Sequence, residues 1–417
     1  MKINTILKYI AILFLIVTSV MVFVRRYNLG LVIYDIDEYI YNYNDFLAKG
    51  FYTKVAEGTS VLYYVFIYGI QNIFSLSTKD SFLVTNILSQ VLIAGLGSSI
   101  ILSLKNKGNK LIIILSIIYY SLLWLNDEQY GLSRNDLFLG VLAMLLYRVL
   151  LIEKIKYKNI YIGVVLALMF SIRSLTLILI PSLMVYYIVD YYKNKYDVLK
   201  TVRDVFISFF IIIVFFHFPS IIENHQLSFY DKNKGISEKD FDWNDINTLA
   251  TLRMFDENKM ELMTKNVYWG WNKEKVDIYK EKYNIKESPK NFFKFLIKYP
   301  IYYFKLFTLN TFNVVLYLFR RYAFFMFLPL IFLFKNRFKI TNDNISFIMF
   351  ITTLASLLIV VVTVIEMRWL ITFEFLFFLA IIQSYINLKN KKVINYVAII
   401  SFVLLIVFNV KTLSQYV

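Results

Sequence analysis

Long apolar runs separated by short basic loops constrain the fold of this chain more than any other feature. Many of these runs approach or exceed the ~18 residues that a helix needs to cross a bilayer. They lack the polar–apolar alternation that is typical of outer-membrane strands, so we expect the spans to be helices. Of 417 residues, 59% are hydrophobic and only 18% are charged, a composition that excludes an ordinary soluble domain. The sequence therefore predicts an all-α polytopic membrane protein.

The distribution of Lys and Arg predicts the orientation of the spans. With residues 61–76 and 300–319 taken as interfacial helices, about 11 transmembrane helices remain and the N-terminus is cytoplasmic. The cytoplasmic side then carries the basic loops, as the positive-inside rule requires, at 105–110, 154–158, 193–203, 335–339 and 389–392. We therefore expect a multi-pass protein of the cell (inner or plasma) membrane.

Three parts follow from this topology. Residues 1–219 form an N-terminal transmembrane module that contains the first outer loop, 25–80. Residues 220–320 form a mixed-charge, helical extracytoplasmic loop, and residues 321–417 form a C-terminal transmembrane module. The chain has no cysteine, which excludes disulfides and thiolate metal sites. Its net charge of +16 is carried by short loops between spans, so nucleic acid is not an expected partner.

An acidic, tyrosine-rich stretch, Tyr34 to Lys54, directly follows the first apolar segment. It carries three carboxylates in four residues, those of Asp35, Asp37 and Glu38. The predicted topology places this stretch on the outer face, the same side as charged residues from other segments: Glu57, Asp136, Arg173 and Arg368. Charged residues near membrane depth are costly, so their grouping at one level indicates a site.

Each of these residues also has a simpler structural explanation. Loop carboxylates are usually just solvated. Arg173 interrupts an apolar run, where its side chain could extend to lipid headgroups or bind a phosphate. Arg368 follows Glu366 and could form an ordinary ion pair with it. His217 ends an apolar run, and we interpret it as a hydrogen-bonded polar residue rather than a metal ligand.

The motif Asp37-Glu38-x-x-Tyr41, directly after the first span, resembles the D-E-x-x-Y motif of GT-C-type membrane glycosyltransferases. In pattern it is most similar to the protein O-mannosyltransferases and the lipid A aminoarabinose transferases. Four further segments are similar to outward-facing segments of that family, in order and spacing, around Glu57, Asp136, Arg173 and Arg368-Trp369. The family's proline pair after the Glu57 position is absent, and Val84-Thr85-Asn86 stand where the family has Arg-Leu.

The resemblance implies a GT-C-like fold and a reaction on the extracytoplasmic face. A sugar would pass from a polyprenyl-phosphate-linked donor to an acceptor hydroxyl of an envelope glycan, lipid or protein. Asp37 would act as the base, with Glu38 beside it. The other implied site residues are Glu57, Tyr41 and Asp136 for substrate or acceptor binding, and Arg173 and Arg368 for the lipid phosphate.

The stereochemistry and the metal dependence stay open. Direct attack of the acceptor would invert the anomeric centre, whereas a retaining path would need a second carboxylate as nucleophile. No cofactor is required, although the acidic cluster could hold a divalent metal through oxygen ligands.

Two other classes also fit the composition. An O-antigen-type polymerase or ligase would depend on arginines in late outer loops. A non-enzymatic transporter of lipid-linked glycans would place polar residues at the bilayer midplane and show internal repeats.

Overall fold

The computed structural model describes residues 36–58, 60–104, 109–126, 135–151, 155–194, 197–225, 227, 243–257, 271–289, 292–341, 343–388 and 391–414. Within these ranges all regular structure is helical and no strand occurs. This confirms the predicted all-α class. The first predicted span, residues 6–24, and Asp35 lie outside the described residues.

The α-helices, in chain order, are α1 (Ile36–Ala56), α2 (Leu62–Phe74), α3 (Thr78–Ser103), α4 (Lys110–Asn126), α5 (Asn135–Leu151), α6 (Lys158–Ile172), α7 (Ile180–Asn194), α8 (Val198–Asn224), α9 (Trp243–Asp256), α10 (Lys273–Lys282), α11 (Phe292–Lys298), α12 (Pro300–Tyr322), α13 (Leu328–Lys335), α14 (Ile345–Val360), α15 (Glu374–Asn387) and α16 (Lys391–Ser414). Short 3₁₀ turns occupy Ser174–Leu179, Ala323–Phe327 and Met367–Thr372.

Four helical segments in the described part of the chain are long and apolar enough to cross a membrane. They are Thr78–Ser103, Ser174–Tyr192, Val198–Asn224 and Pro300–Lys335. Shorter apolar helices accompany them, including α2, α6 and α14. The predicted count of about eleven spans is thus not confirmed. The segment 300–335 divides at Ala323 (φ 47°) into α12 and α13, which together are long and apolar enough to cross a membrane, and the interfacial assignment of 300–319 stays a prediction.

Helix α8 shows most clearly how an apolar helix can face lipid. Asp197 caps its first turn by accepting a hydrogen bond from the backbone N–H of Lys200. Large apolar side chains on this helix are exposed, among them Phe206, Phe210 and Phe215. A soluble protein would not leave so continuous an apolar surface in water, whereas a hydrocarbon environment accepts it.

Close helix contacts in the first compact unit occur at glycines. A Cβ at Gly163 of α6 would lie 2.0 Å from Ser208 Oγ and 2.3 Å from the Val205 carbonyl oxygen of α8. A Cβ at Gly97 of α3 would lie 2.3 Å from the ring of Tyr120 on α4. Small residues let helix backbones approach closely, which is the usual basis of helix packing in membranes.

The described residues divide into two compact units. The first is drawn from Met1–Phe229, Phe324–Phe350 and Leu370–Val417, and the second from Tyr230–Ala323 and Ile351–Trp369. The second unit thus includes most of the loop predicted at 220–320, together with a segment of the predicted C-terminal module. Its core is built by α9, α10, α12 and the stretch after α14, with Leu249, Trp271, Val276, Leu306 and Val364 in contact.

In the second unit, side chains hold an unwound backbone segment that follows α14. Asn310 of α12 donates to the Thr363 carbonyl oxygen (2.9 Å) and accepts from the Ile365 N–H (2.9 Å). The Tyr303 hydroxyl donates to the Ile359 carbonyl oxygen (2.9 Å) in the last turn of α14, directly before this segment. Asn310 is completely buried, so this amide replaces the intrahelical bonds that the segment gives up.

Candidate functional site

A buried ion pair lies where α5 begins and α6 ends, in the first unit. Asp136 stands in the first turn of α5 and is 4% exposed. Arg173 ends α6 with an extended backbone (φ −155°, ψ 119°), and its Nη1 contacts Asp136 Oδ1. The Arg173 side chain keeps 23% of its surface exposed. A carboxylate in a first helical turn is favoured by the helix dipole, so the fold presents one largely buried anion and one accessible cation side by side.

Ser171, two residues before Arg173, joins two other segments to this end of α6. The Ser60 hydroxyl, in the loop before α2, donates to the Ser171 carbonyl oxygen. The Ser171 hydroxyl lies 3.1 Å from Nε2 of His217 on α8, and His217 is 1% exposed. His217 is therefore hydrogen-bonded inside the unit. Among the described residues, no group of three or more His, Cys, Asp or Glu could hold a metal ion.

A row of aromatic rings ties the start of α1 to the same place. The Tyr39 ring meets the Tyr63 ring of α2 edge-on, with centroids 6.1 Å apart. The Tyr63 ring in turn lies 6.1 Å from that of Phe138, two residues after Asp136. Asp37 and Glu38 lie in the first turn of α1, directly before Tyr39. Their side chains lie outside the described residues, but their backbone belongs to the turn that this row anchors beside α5.

Four alternating charges hold together the kinked second half of α1. Lys54 Nζ lies 2.5 Å from Asp45 Oδ2 and 3.4 Å from Glu57 Oε2. Lys49 Nζ lies 3.2 Å from Asp45 Oδ1 and 2.9 Å from Glu57 Oε1. The helix can fold back in this way because Gly50 adopts φ 78°, a conformation that favours glycine. Lys54 is 6% exposed, so the two carboxylates compensate a buried ammonium.

These contacts change the pKa values of both carboxyls. Burial raises the pKa of Asp45, but its hydrogen bonds and attraction to Lys54 and Lys49 outweigh burial and leave the pKa below the ordinary value. The pKa of Glu57 is also lowered. Burial raises it, but the hydrogen bond from Lys49 and the charge of Lys54 lower it by more. Both groups are therefore carboxylates at neutral pH.

The C-terminal ends of α1 and α8 are also connected. The Tyr52 hydroxyl donates to Glu223 Oε1 (2.9 Å). The Asn224 amide donates to the Ala56 carbonyl oxygen. These bonds fix the loop that carries Glu57 and Ser60 against the end of α8, on the side of the unit where Ser60 meets Ser171.

The structure brings together only some of the predicted site residues. Asp136 and Arg173 are in contact, and Glu57 lies in the charge cluster whose loop reaches α6. Tyr41 is 72% exposed on α1. Arg368 belongs to the second unit, where its Nε and Nη2 bind the two Glu366 oxygens at 2.5 and 3.1 Å. The ion-pair explanation of Arg368 is therefore the one that its described contacts show.

Sequence reasoning missed several residues of this region. In the sequence Lys54 resembles any other lysine of a helix. Only the structure, with its kink at Gly50, shows it buried between Asp45 and Glu57. Asn86 and Gln90 are buried amides in α3, a helix that is long and apolar enough to span a membrane. Their four-residue spacing on one helix face was a signal in the sequence that could have identified them.

Comparisons with protein-family models, with curated proteins and with solved structures give no match to this chain.

Proposed function

We propose that this protein is a membrane glycosyltransferase that moves a sugar from a polyprenyl-phosphate-linked donor to an acceptor hydroxyl on the extracytoplasmic face. One observation carries the proposal. The aromatic row from Tyr39 through Tyr63 to Phe138 connects the first turn of α1, which holds Asp37 and Glu38, with the start of α5, where Asp136 pairs with the partly exposed Arg173. A base and a phosphate-binding cation at one end of an apolar helical unit are what this reaction requires.

In the proposed reaction, Asp37 and Arg173 have separate roles. The acceptor oxygen forms a bond to the anomeric carbon, and the bond from that carbon to the phosphate oxygen breaks. Asp37 takes the acceptor proton as general base. Arg173 stabilises the negative charge that develops on the leaving polyprenyl phosphate, since a guanidinium can donate two parallel hydrogen bonds to phosphate oxygens.

Asp136 has a positioning role in this proposal. Its carboxylate binds one end of the guanidinium and so fixes the direction of the Arg173 side chain. A cation held in place in advance stabilises a developing charge without the cost of reorganisation. Glu38 or Glu57 orients the acceptor or the sugar, and the phosphate role of Arg368, which pairs with Glu366 in the second unit, stays a prediction.

The test is an Asp37→Asn variant, reconstituted with polyprenyl-phosphate-linked sugars and an envelope extract as acceptor. We expect sugar transfer to be lost while membrane insertion and donor binding are kept, because only the proton acceptor has been removed. Asp80→Asn is the matched control, since Asp80 also lies in the first turn of a helix. Transfer by Asp37→Asn at the wild-type rate would rule out the proposed base. Transfer that survives in Asp37→Asn but is lost in Arg253→Ala, an arginine of the 220–320 region, would favour a polymerase or ligase.

A further inference from the structure

Helix α3 carries buried polar side chains inside a membrane-spanning segment. Thr85, Asn86 and Gln90 are 0%, 1% and 2% exposed. The Thr85 hydroxyl and both the nitrogen and the oxygen of each side-chain amide have no hydrogen-bond partner among the residues that the structure describes. Asn86 and Gln90 are four residues apart, so they lie on one face of the helix, one above the other. We call them the amide pair.

Phe82, which precedes the amide pair on α3, contacts the aromatic row at the start of α1. Phe82, one turn before Asn86 on the same face, packs its ring on that of Tyr63, with centroids 6.0 Å apart. Tyr63 is the ring that lies between Tyr39 and Phe138. Its buried hydroxyl likewise finds no hydrogen-bond partner in the described ranges.

Ile93, which follows the amide pair on α3, contacts α5. Ile93, three residues after Gln90, has its Cδ1 2.9 Å from where a Cβ at Gly140 would lie. Gly140 follows Asp136 by about one helical turn. The turns of α3 before and after the amide pair thus contact Tyr63 of α2 and Gly140 of α5.

The chemistry of these groups selects their ligand. A carboxamide offers N–H donors and a carbonyl acceptor and has no charge, and a threonine hydroxyl can both donate and accept. Burying such groups without partners is unfavourable, and the apolar part of a bilayer supplies none. Sugar hydroxyls also donate and accept hydrogen bonds, so they match uncharged amides. A phosphate, in contrast, is best matched by cationic donors such as Arg173.

We propose that Thr85 and the amide pair bind the hydroxyl groups of the donor's sugar, while Arg173 holds the phosphate to which that sugar is attached. This inference rests on the proposed function and deepens it, because it assigns a sugar subsite to side chains of α3 that no outer-loop motif includes. Binding orients the anomeric carbon toward the first turn of α1, where the acceptor is activated.

The experiment compares Asn86→Leu and Gln90→Leu with wild type in the full-length protein in nanodiscs. Ser98→Ala is the matched control, because Ser98 lies on the same helix, is 1% exposed and has an unpartnered hydroxyl in the described part of the chain. It stands eight residues beyond Gln90, about 12 Å along the helix. The probes are polyprenyl-phosphate-linked sugars extracted from membranes and the same lipids after mild acid hydrolysis, which removes the sugar.

We expect wild type and Ser98→Ala to bind the sugar-bearing lipid about tenfold more tightly than the hydrolysed lipid, as one or two net hydrogen bonds would give. Each leucine variant should lose that preference and bind both forms with the affinity of the hydrolysed lipid. Because leucine removes unpartnered polar atoms, the melting temperature without ligand should stay the same or rise.

The outcomes separate this inference from the proposed function. Leucine variants that keep the preference for the sugar-bearing lipid would overturn the subsite. Leucine variants with an unchanged preference and a lowered melting temperature would also overturn the subsite, since the amides would then be structural groups bonded to internal water. Wild-type protein that binds both lipids equally overturns the subsite alone. Wild-type protein that binds neither lipid, or binding that Arg173→Ala does not weaken, overturns the proposed function.

Discussion

The Asp136–Arg173 pair allows stability and activity to be separated by a double-mutant cycle. Arg173→Met leaves the Asp136 carboxylate, only 4% exposed, without its described cationic partner. Breaking a buried pair in this way costs about 3–5 kcal/mol. Asp136→Leu leaves Arg173, whose side chain is 23% exposed and can turn toward water or headgroups. We therefore expect a smaller loss, about 1–3 kcal/mol.

The double variant Arg173→Met/Asp136→Leu should regain most of the lost stability, because two apolar side chains of similar size replace both charges. We expect it to unfold within about 1 kcal/mol of wild type, which implies a large coupling energy between the two positions. Circular dichroism during titration from mild detergent into dodecyl sulfate measures the four free energies of unfolding.

Transfer activity should follow a different pattern. Every variant that lacks the Arg173 guanidinium should lose about 10²–10³-fold in rate, including the stable double variant. Additive losses of stability in the double variant would refute the pairing. A double variant that is stable and transfers sugar at the wild-type rate would refute the phosphate role of Arg173.

Two further predictions follow from other contacts. Asp45 and Glu57 have folded pKa values below their unfolded values of about 4. The stability that they contribute is therefore complete above about pH 5 and is lost as the pH falls through the lowered pKa values. Lys54→Met should flatten this acid dependence of the melting temperature, and an unchanged slope would contradict the network. Asn310→Leu should destabilise the protein by about 2–4 kcal/mol, because it leaves two backbone groups unpaired. Asn72→Leu, at an exposed position, should have little effect. Equal melting temperatures for the two variants would contradict the role of Asn310.

Two residues that the structure brings into contact could be located from the sequence, because charged residues are rare in the apolar segments. Arg173 was identified as the residue that interrupts an apolar run, and the structure ends α6 there. Asp136 was identified at the start of a helix, and it lies in the first turn of α5. That these two residues contact each other could not be predicted, since it depends on how α5 and α6 pack.

The interfacial assignment of residues 300–319 shows where the reasoning from loops stops. It rested on the charge of the loop at 335–339, whereas α12 and α13 together form an apolar segment, 300–335, that is long enough to cross a membrane. A charge rule counts loops and does not register the break at Ala323, where α12 ends.

The sequence by itself determined the helical class, the apolar segments and the residues that interrupt them. These properties are local, since they depend on hydropathy over about 18 residues and on single charges within it. Only the tertiary structure decided which polar groups become partners. The kink at Gly50 lets Asp45 and Glu57 pair with the buried Lys54, and the packing of α5 against α6 brings Asp136 into contact with Arg173. Such contacts arise between residues far apart in the chain, and their energies depend on burial that no local pattern records.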